Sequence, residues 1–207
     1  MQQLNSEKWE EASELYAFLG NSLLTPIRRT EHVGINPEFW ESIGTLFDGA
    51  LEAPALALVE YARSRANEEE KDVLQDISVE FTHLFVGPPS PFAPPWETTN
   101  GKVPTSVGFG EATFDMRRRL REVGLSVQNE NHQYEDHMGI ELLYLSVLCK
   151  RAASGESTSE DACAFIEEHP LAWIGRFKDK VAAAAPGGYY QLLLELAQAT
   201  MTWHVRE

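Results

Sequence analysis

The sequence predicts an all-α protein, and three observations carry that prediction. Apolar residues recur at three- and four-residue spacing along most of the 207 residues. No stretch of useful length alternates between apolar and polar residues, as a half-buried strand would. Prolines and glycines divide the helical pattern into segments of ordinary helix length. We therefore predict a single all-helical domain over residues 1–207, a bundle of about eight to ten helices with a long proline-rich loop between two central helices.

The predicted helices of the first half are bounded by caps and prolines. Apolar residues from Trp9 to Leu23 recur at helical spacing behind Asn5 and Ser6, which can cap a helix, and Pro26 follows its end. Proline at the first turn is favourable because the missing N–H has no partner there. Pro37 and Pro54 begin the next two helices, over 37–47 and 56–66, and a fourth covers 69–85 before Gly87-Pro88-Pro89.

Residues Gly87 to Gly108 form the one long loop of the prediction. Their prolines exclude a regular helix or a central strand. Loops of this length are usually either functional or disordered, and the rings of Phe92 and Trp96 favour a packed loop. The remaining predicted helices cover 110–124, 136–153, 159–168, 170–185 and 188–205.

Charge excludes one class of partner. The net charge is −15 and the isoelectric point is near 4.8, so the protein repels phosphate backbones and is not expected to bind nucleic acid. A cationic peptide is a better match for such a surface. The alternative is that the acidic excess serves solubility alone.

The cysteines and the N-terminal sequence indicate a reducing, cytoplasmic location. Cys149 and Cys163 stand fourteen positions apart, which gives neither a disulfide framework nor a zinc spacing. Residues 1–8 lack a basic and then apolar leader. Arg28-Arg29 is not followed by an apolar run, so we do not expect the chain itself to be a twin-arginine export substrate.

The motifs of common enzymes are missing from the sequence. It contains no phosphate-binding Gly-x-x-x-x-Gly-Lys-Ser/Thr and no Gly-x-Ser-x-Gly. We predict no catalytic residue, no metal and no cofactor. One alternative stays open, a metal-dependent enzyme using His132, His137 and Glu141. A simpler reading has Asp136 capping a helix in which His137 pairs with Glu141.

The segment around Trp96 favours peptide binding. Trp96 follows Pro94-Pro95 and precedes Glu97, so an aromatic ring stands next to a carboxylate. A groove for a basic, partly apolar peptide needs that combination. The alternative is a stiff connection with Trp96 anchored in the core.

Four motifs in order resemble the TorD/DmsD family of redox-enzyme maturation chaperones. They are 84–88 (Leu-Phe-Val-Gly-Pro), 94–97 (Pro-Pro-Trp-Glu), the turn at Phe109-Gly110, and 135–137 (Glu-Asp-His) with Glu141. The segment 14–19 and the helical layout are also similar, so the resemblance covers nearly the whole chain. This sequence departs from the family in having Gln133-Tyr134 where Glu-Pro is frequent, and Phe81 where one subgroup has tryptophan.

The resemblance implies a cytoplasmic chaperone, not an enzyme. Its partners would be the twin-arginine signal peptide and the apo form of a molybdopterin oxidoreductase of the DMSO-reductase type. The chaperone would aid cofactor insertion and delay Tat export until folding is complete. The resemblance leaves three points open. The Tat translocase could be a further partner, the client could be of the nitrate-reductase type, and the protein could be a monomer or a helix-exchanged dimer. The implied peptide site consists of Tyr16, Phe81, Leu84, Phe85, Pro95, Trp96, Glu97, Glu135, Asp136 and His137.

Overall fold

The computed structural model describes residues 6–30, 32–105, 109–127, 133–156 and 159–206, and these are helical with no strand. Nine of the α-helices in these ranges have eight or more residues, which confirms the all-α prediction. None of the described helices is both long and apolar enough to cross a bilayer. The α-helices are α1 Ser6–Leu24, α2 Pro37–Gly44, α3 Leu46–Gly49, α4 Glu52–Ser64, α5 Glu70–Phe81, α6 Glu97–Asn100, α7 Glu111–Glu122, α8 Met138–Ala153, α9 Ser159–Glu168, α10 Pro170–Ala184 and α11 Tyr189–His204. Short 3₁₀ turns at Ile27–Arg29 and His32–Ile35 and a π-helical turn at Thr82–Val86 complete the set.

The chain divides into two compact units, each built from segments distant in sequence. Among the described residues, unit 1 contains those within 25–93 and 178–206, and unit 2 contains those within 6–24 and 94–177. Neither unit is a continuous half of the chain. The single domain over 1–207 stays a prediction.

Unit 1 forms around buried aromatic side chains. Asn36 caps α2 by accepting a hydrogen bond from the backbone N–H of Glu38 at 3.0 Å, and Pro37 occupies the first helical position, as predicted. Trp40 is fully buried and donates its indole N–H to the carbonyl of Gly34 at 2.9 Å. Tyr189 of α11 lies against Trp40, so α2 and α11 share this core.

The end of α5 winds into the π-helical turn and stops at Gly87. The φ of Gly87 is +96°, and a side chain there would come within 2.7 Å of the backbone of Ser90. The following prolines fold back on the turn, since Phe92 N donates to His83 O at 3.3 Å and Ala93 N donates to Leu84 O at 2.9 Å. Glycine is therefore required at this chain reversal.

Unit 2 is built on close packing of α1 against α8. A side chain on Gly20 would lie 2.7 Å from the carbonyl oxygen of Gly139, and one on Gly139 would lie 2.7 Å from the carbonyl oxygen of Gly20. The two backbones can approach this closely because neither residue has a Cβ.

The prediction that Gly87–Gly108 contains no helix is wrong for four residues. Helix α6 forms because side chains satisfy the backbone groups of a single isolated turn. Thr99 Oγ1 donates to Trp96 O at 2.8 Å, and Asn100 Nδ2 donates to Pro94 O at 2.7 Å. Gly108, the predicted end of the loop, lies outside the described residues.

Candidate functional site

Two of the predicted motifs meet in unit 2. Met138 N donates to Pro95 O and Glu97 N donates to Asp136 O, both at 2.9 Å. These hydrogen bonds form an isolated antiparallel bridge between Trp96 and His137. Segments 95–97 and 136–138 are thus fixed side by side, although about forty residues separate them in sequence.

The Asp136 carboxylate holds this junction together from inside. Asp136 is fully buried, and its Oδ2 accepts hydrogen bonds from the backbone N–H of Thr98, at 2.9 Å, and from the Thr98 hydroxyl. Its Oδ1 accepts from the Thr113 hydroxyl at 2.9 Å. Burial raises the pKa of Asp136, and these hydrogen bonds oppose the shift. Asp136 therefore joins α6 and α7 to the start of α8.

The helix cap is His137 and not Asp136, so the capping interpretation of Asp136 is wrong. Helix α8 begins at Met138, and His137 Nδ1 accepts the backbone N–H of Gly139 at 2.9 Å. Complete burial lowers the pKa of His137 to about 3. The imidazole is therefore neutral near pH 7, as an accepting nitrogen requires.

Glu141 does not form the expected pair with His137. Its Oε2 accepts the indole N–H of Trp173 at 3.0 Å, whereas Oε1 is buried with no hydrogen-bond partner. Burial raises the pKa of Glu141 well above its ordinary value, and the charges of Glu97 and Asp136 raise it further. Both effects favour the neutral, protonated form of this carboxyl group.

A second network of polar side chains lies beside α6. His169 Nδ1 lies 2.9 Å from Glu97 Oε2, and His169 Nε2 lies 3.3 Å from Asp115 Oδ2. The Asp115 carboxylate is also hydrogen-bonded by Arg118 and Arg119. A surface cavity of about 520 Å³ opens here, with Glu97, Asp115 and His169 in its wall.

Aromatic rings form a row leading away from the bridge. The ring centroids of Trp96 and Tyr134 are 5.8 Å apart, those of Tyr134 and Phe109 are 5.6 Å apart, and those of Phe109 and Phe114 are 4.9 Å apart. Phe109 and Phe114 are 40% and 55% exposed. The row therefore reaches the surface at α7, where apolar side chains and basic residues occur together.

Glu135 holds an arginine at this surface. Arg117 Nε donates to Glu135 Oε1 at 2.6 Å, and Arg117 Nη2 donates to Oε2 at 3.0 Å. Burial by itself raises the pKa of Glu135. The Arg117 hydrogen bond, a backbone hydrogen bond and the charges of Arg117 and Arg121 together outweigh burial, so the pKa lies below its ordinary value. The Arg117 guanidinium also lies 5.8 Å from the centroid of the Phe114 ring. The Glu135 carboxylate thus binds a guanidinium group in the two-pronged geometry that suits arginine.

The ten predicted site residues are distributed over both units. Phe81, Leu84 and Phe85 belong to unit 1, where all three are buried and both phenylalanine rings contact Tyr190. Tyr16 is fully buried in α1 of unit 2. The roles of these four residues in binding stay predictions. The other six, Pro95, Trp96, Glu97, Glu135, Asp136 and His137, are brought together by the bridge.

Several residues of this arrangement were missed by sequence reasoning. Thr98 and Thr113 hold Asp136, Arg117 holds Glu135, and His169 holds Glu97. No sequence signal distinguishes Arg117 from the arginines next to it, because its partner lies eighteen positions away.

Comparison with known proteins identifies the family. The family described as nitrate reductase delta subunit matches residues 45–179. A probable Tat proofreading chaperone DmsD of Haemophilus influenzae is 29% identical over 140 residues, which cover 66% of this chain and 64% of that protein. The chain belongs to the TorD/DmsD family. The Tat proofreading chaperone DmsD of Salmonella typhimurium is 32% identical over 73% of this chain and 68% of its own length. The chaperone protein TorD of Shewanella pealeana is 33% identical over 46% of this chain and 39% of its own.

Membership in the TorD/DmsD family decides between the two function classes. These relatives are named as chaperones, so the chain is a redox-enzyme maturation chaperone and not an enzyme. The metal-dependent alternative is therefore wrong. His132, which it required, lies outside the described residues, and no group of three or more His, Cys, Asp or Glu residues in the described part is placed to hold a metal.

Proposed function

We propose that this chaperone binds the twin-arginine signal peptide of a molybdopterin-containing oxidoreductase of the DMSO-reductase type. By holding the peptide and the apo catalytic subunit, it would aid cofactor insertion and delay Tat export until folding is complete. The names of the DmsD relatives, Tat proofreading chaperones, support this function. A cytoplasmic location follows from it, because cofactor loading precedes export.

The observation that carries the proposal is the pairing of an aromatic contact with two carboxylates in unit 2. Trp96 and Tyr134 are in contact, Glu97 follows the first and Glu135 follows the second. The side chains of Glu97 and Glu135 are 17% and 16% exposed, so each is partly desolvated but reachable. Guanidinium groups bind well to carboxylates beside aromatic rings. The apolar part of a signal peptide would lie along the aromatic row.

Glu135 is a better acceptor for a peptide arginine than Asp136. Both Asp136 oxygens are used inside the protein, and the residue has no exposed surface. We therefore propose that the buried Asp136 and His137 hold the segments of the site in place, and that Glu135 and Glu97 contact the peptide.

Calorimetric titration tests this proposal. The probe is a synthetic peptide with two adjacent arginines followed by an apolar segment. We expect Glu135→Gln to weaken binding roughly five- to tenfold, the loss of a charge-assisted pair. Glu10→Gln is the matched control, because it removes the same charge from an exposed position of α1. Equal binding by the protein, Glu135→Gln and Trp96→Ala would show that the site lies elsewhere.

A nitrate-reductase-type client is the second candidate. It is favoured by one observation, the description of the matching family as nitrate reductase delta subunit. Titration with the N-terminal peptide of such a client, which lacks the arginine pair, distinguishes the two. A preference for that peptide over the twin-arginine peptide would favour the second candidate.

A further inference from the structure

The contact between Arg117 and Glu135 has the chemistry of the proposed ligand. A twin-arginine peptide presents guanidinium groups, and the partly exposed Glu135 carboxylate already binds one, supplied by α7. Both Glu135 oxygens are used by that fork. A peptide arginine cannot form the same two-pronged contact unless Arg117 leaves.

The geometry points to Arg117 as an internal competitor, a resident arginine that occupies the Glu135 carboxylate until a peptide arginine displaces it. The inference rests on the proposed function and adds how that site is regulated. Arg117 would lower the affinity of every ligand that has to displace it from Glu135. A ligand with a guanidinium group replaces both hydrogen bonds that Arg117 gives up, whereas other ligands lose at least one of them.

The surroundings of Arg117 allow such an exchange. Its side chain is 36% exposed, so a displaced guanidinium can move into water. The guanidinium also lies 5.8 Å from the centroid of the exposed Phe114 ring, a contact that does not involve Glu135. Arg118 and Arg119, in contrast, are paired with Asp115 of the same helix, which is held in turn by His169. Those two arginines are therefore part of a local network, whereas Arg117 reaches across to the segment that carries the proposed site.

Arg121 provides a matched control. It lies one turn after Arg117 on α7 and is exposed. Its charge acts on Glu135, but among the described residues no hydrogen bond or ion pair joins it to that carboxylate. Substituting either arginine with methionine removes one positive charge and keeps a long side chain with good helix propensity. The two variants differ in whether the Glu135 oxygens are released.

The experiment measures affinities of the full chain for the twin-arginine peptide and for a counterpart with two lysines. We expect Arg117→Met to bind the arginine peptide about two- to fivefold more tightly than the unsubstituted protein, the range of a half-exposed ion pair. The lysine peptide should gain less, since an ammonium cannot form the fork. Arg121→Met should leave the preference for arginine unchanged. In a Glu135→Gln background, Arg117→Met should have no effect on affinity.

The outcomes separate this inference from the proposed function. Equal tightening by Arg117→Met and Arg121→Met would reduce the effect to general charge and overturn the inference. So would unchanged or weaker binding by Arg117→Met, provided that its melting temperature matches that of the parent. In either case binding by the parent protein leaves the proposed function standing. Lack of binding by the parent and by all variants would overturn both, and binding by Arg117→Met alone would support a masked site.

Discussion

Glu141 offers the sharpest test of the buried network. The side chain is fully buried, one oxygen accepts from Trp173 and the other has no partner. Glutamine has nearly the same shape, keeps a carbonyl oxygen for Trp173 and carries no charge. We therefore expect Glu141→Gln to stabilise the protein at neutral pH.

The size of this effect depends on pH, and its sign follows from the raised pKa of Glu141. Below the ordinary value of 4.5, the carboxyl group is protonated in both the folded and the unfolded chain, so its ionisation does not affect the free energy of unfolding. Above that value, the unfolded chain releases its proton while the folded protein retains it. Folding is then disfavoured by up to about 1.4 kcal/mol for each pH unit, until the pKa of the folded protein is reached.

Urea unfolding of the parent and of Glu141→Gln at several pH values measures this difference. As pH rises above 4.5, the advantage of the variant in free energy of unfolding should grow, by at most about 1.4 kcal/mol for each pH unit. Glu10→Gln, at an exposed position, should show no such growth. An advantage independent of pH, or one that shrinks as pH rises, would refute the assignment of Glu141 as a buried neutral acid.

Three further predictions concern the same unit. Gly139→Ala should destabilise the protein by about 1–3 kcal/mol in urea unfolding, because its methyl group would meet the Gly20 carbonyl. Gly175→Ala in α10 is its counterpart, because no atom lies within 4 Å of the added methyl, and it should be stabilising by up to about 1 kcal/mol. The neutral His137 contributes stability that is complete above its ordinary pKa of 6.5 and is lost as pH falls toward about 3. His137→Asn should keep the cap and reduce this acid sensitivity, whereas His137→Ala should lower the free energy of unfolding by about 1 kcal/mol at pH 7.5 in the same assay. If the free energy of unfolding fell equally with decreasing pH in the parent and in His137→Asn, His137 would not be the buried neutral cap.

Helix positions were predictable because their signals are local. Apolar spacing, the first-turn proline of α2 and Gly87 each act within a few residues, so α1, the start of α2 and the chain reversal at Gly87 follow from the sequence. The helix predicted over 37–47 ends at Gly44, and Phe47 and Asp48 have positive φ angles of 55° and 58°. The helix predicted over 69–85 is α-helical only to Phe81. The start of α8 was predicted two residues early. Asp136 is by itself a good capping residue, and only the hydroxyls of Thr98 and Thr113 draw its carboxylate away from the helix.

The sequence by itself determined the helical class, the motif order that resembles the family, and the segments that carry the proposed site. The tertiary structure decided which carboxylates a peptide arginine could contact. Asp136, Glu135 and Glu141 are alike in a sequence, yet one is enclosed by hydroxyls, one binds an arginine at the surface, and one is a buried acid. The physical reason is that desolvation and hydrogen-bond partners set the charge and reach of a carboxyl group, and both depend on residues brought close only by folding.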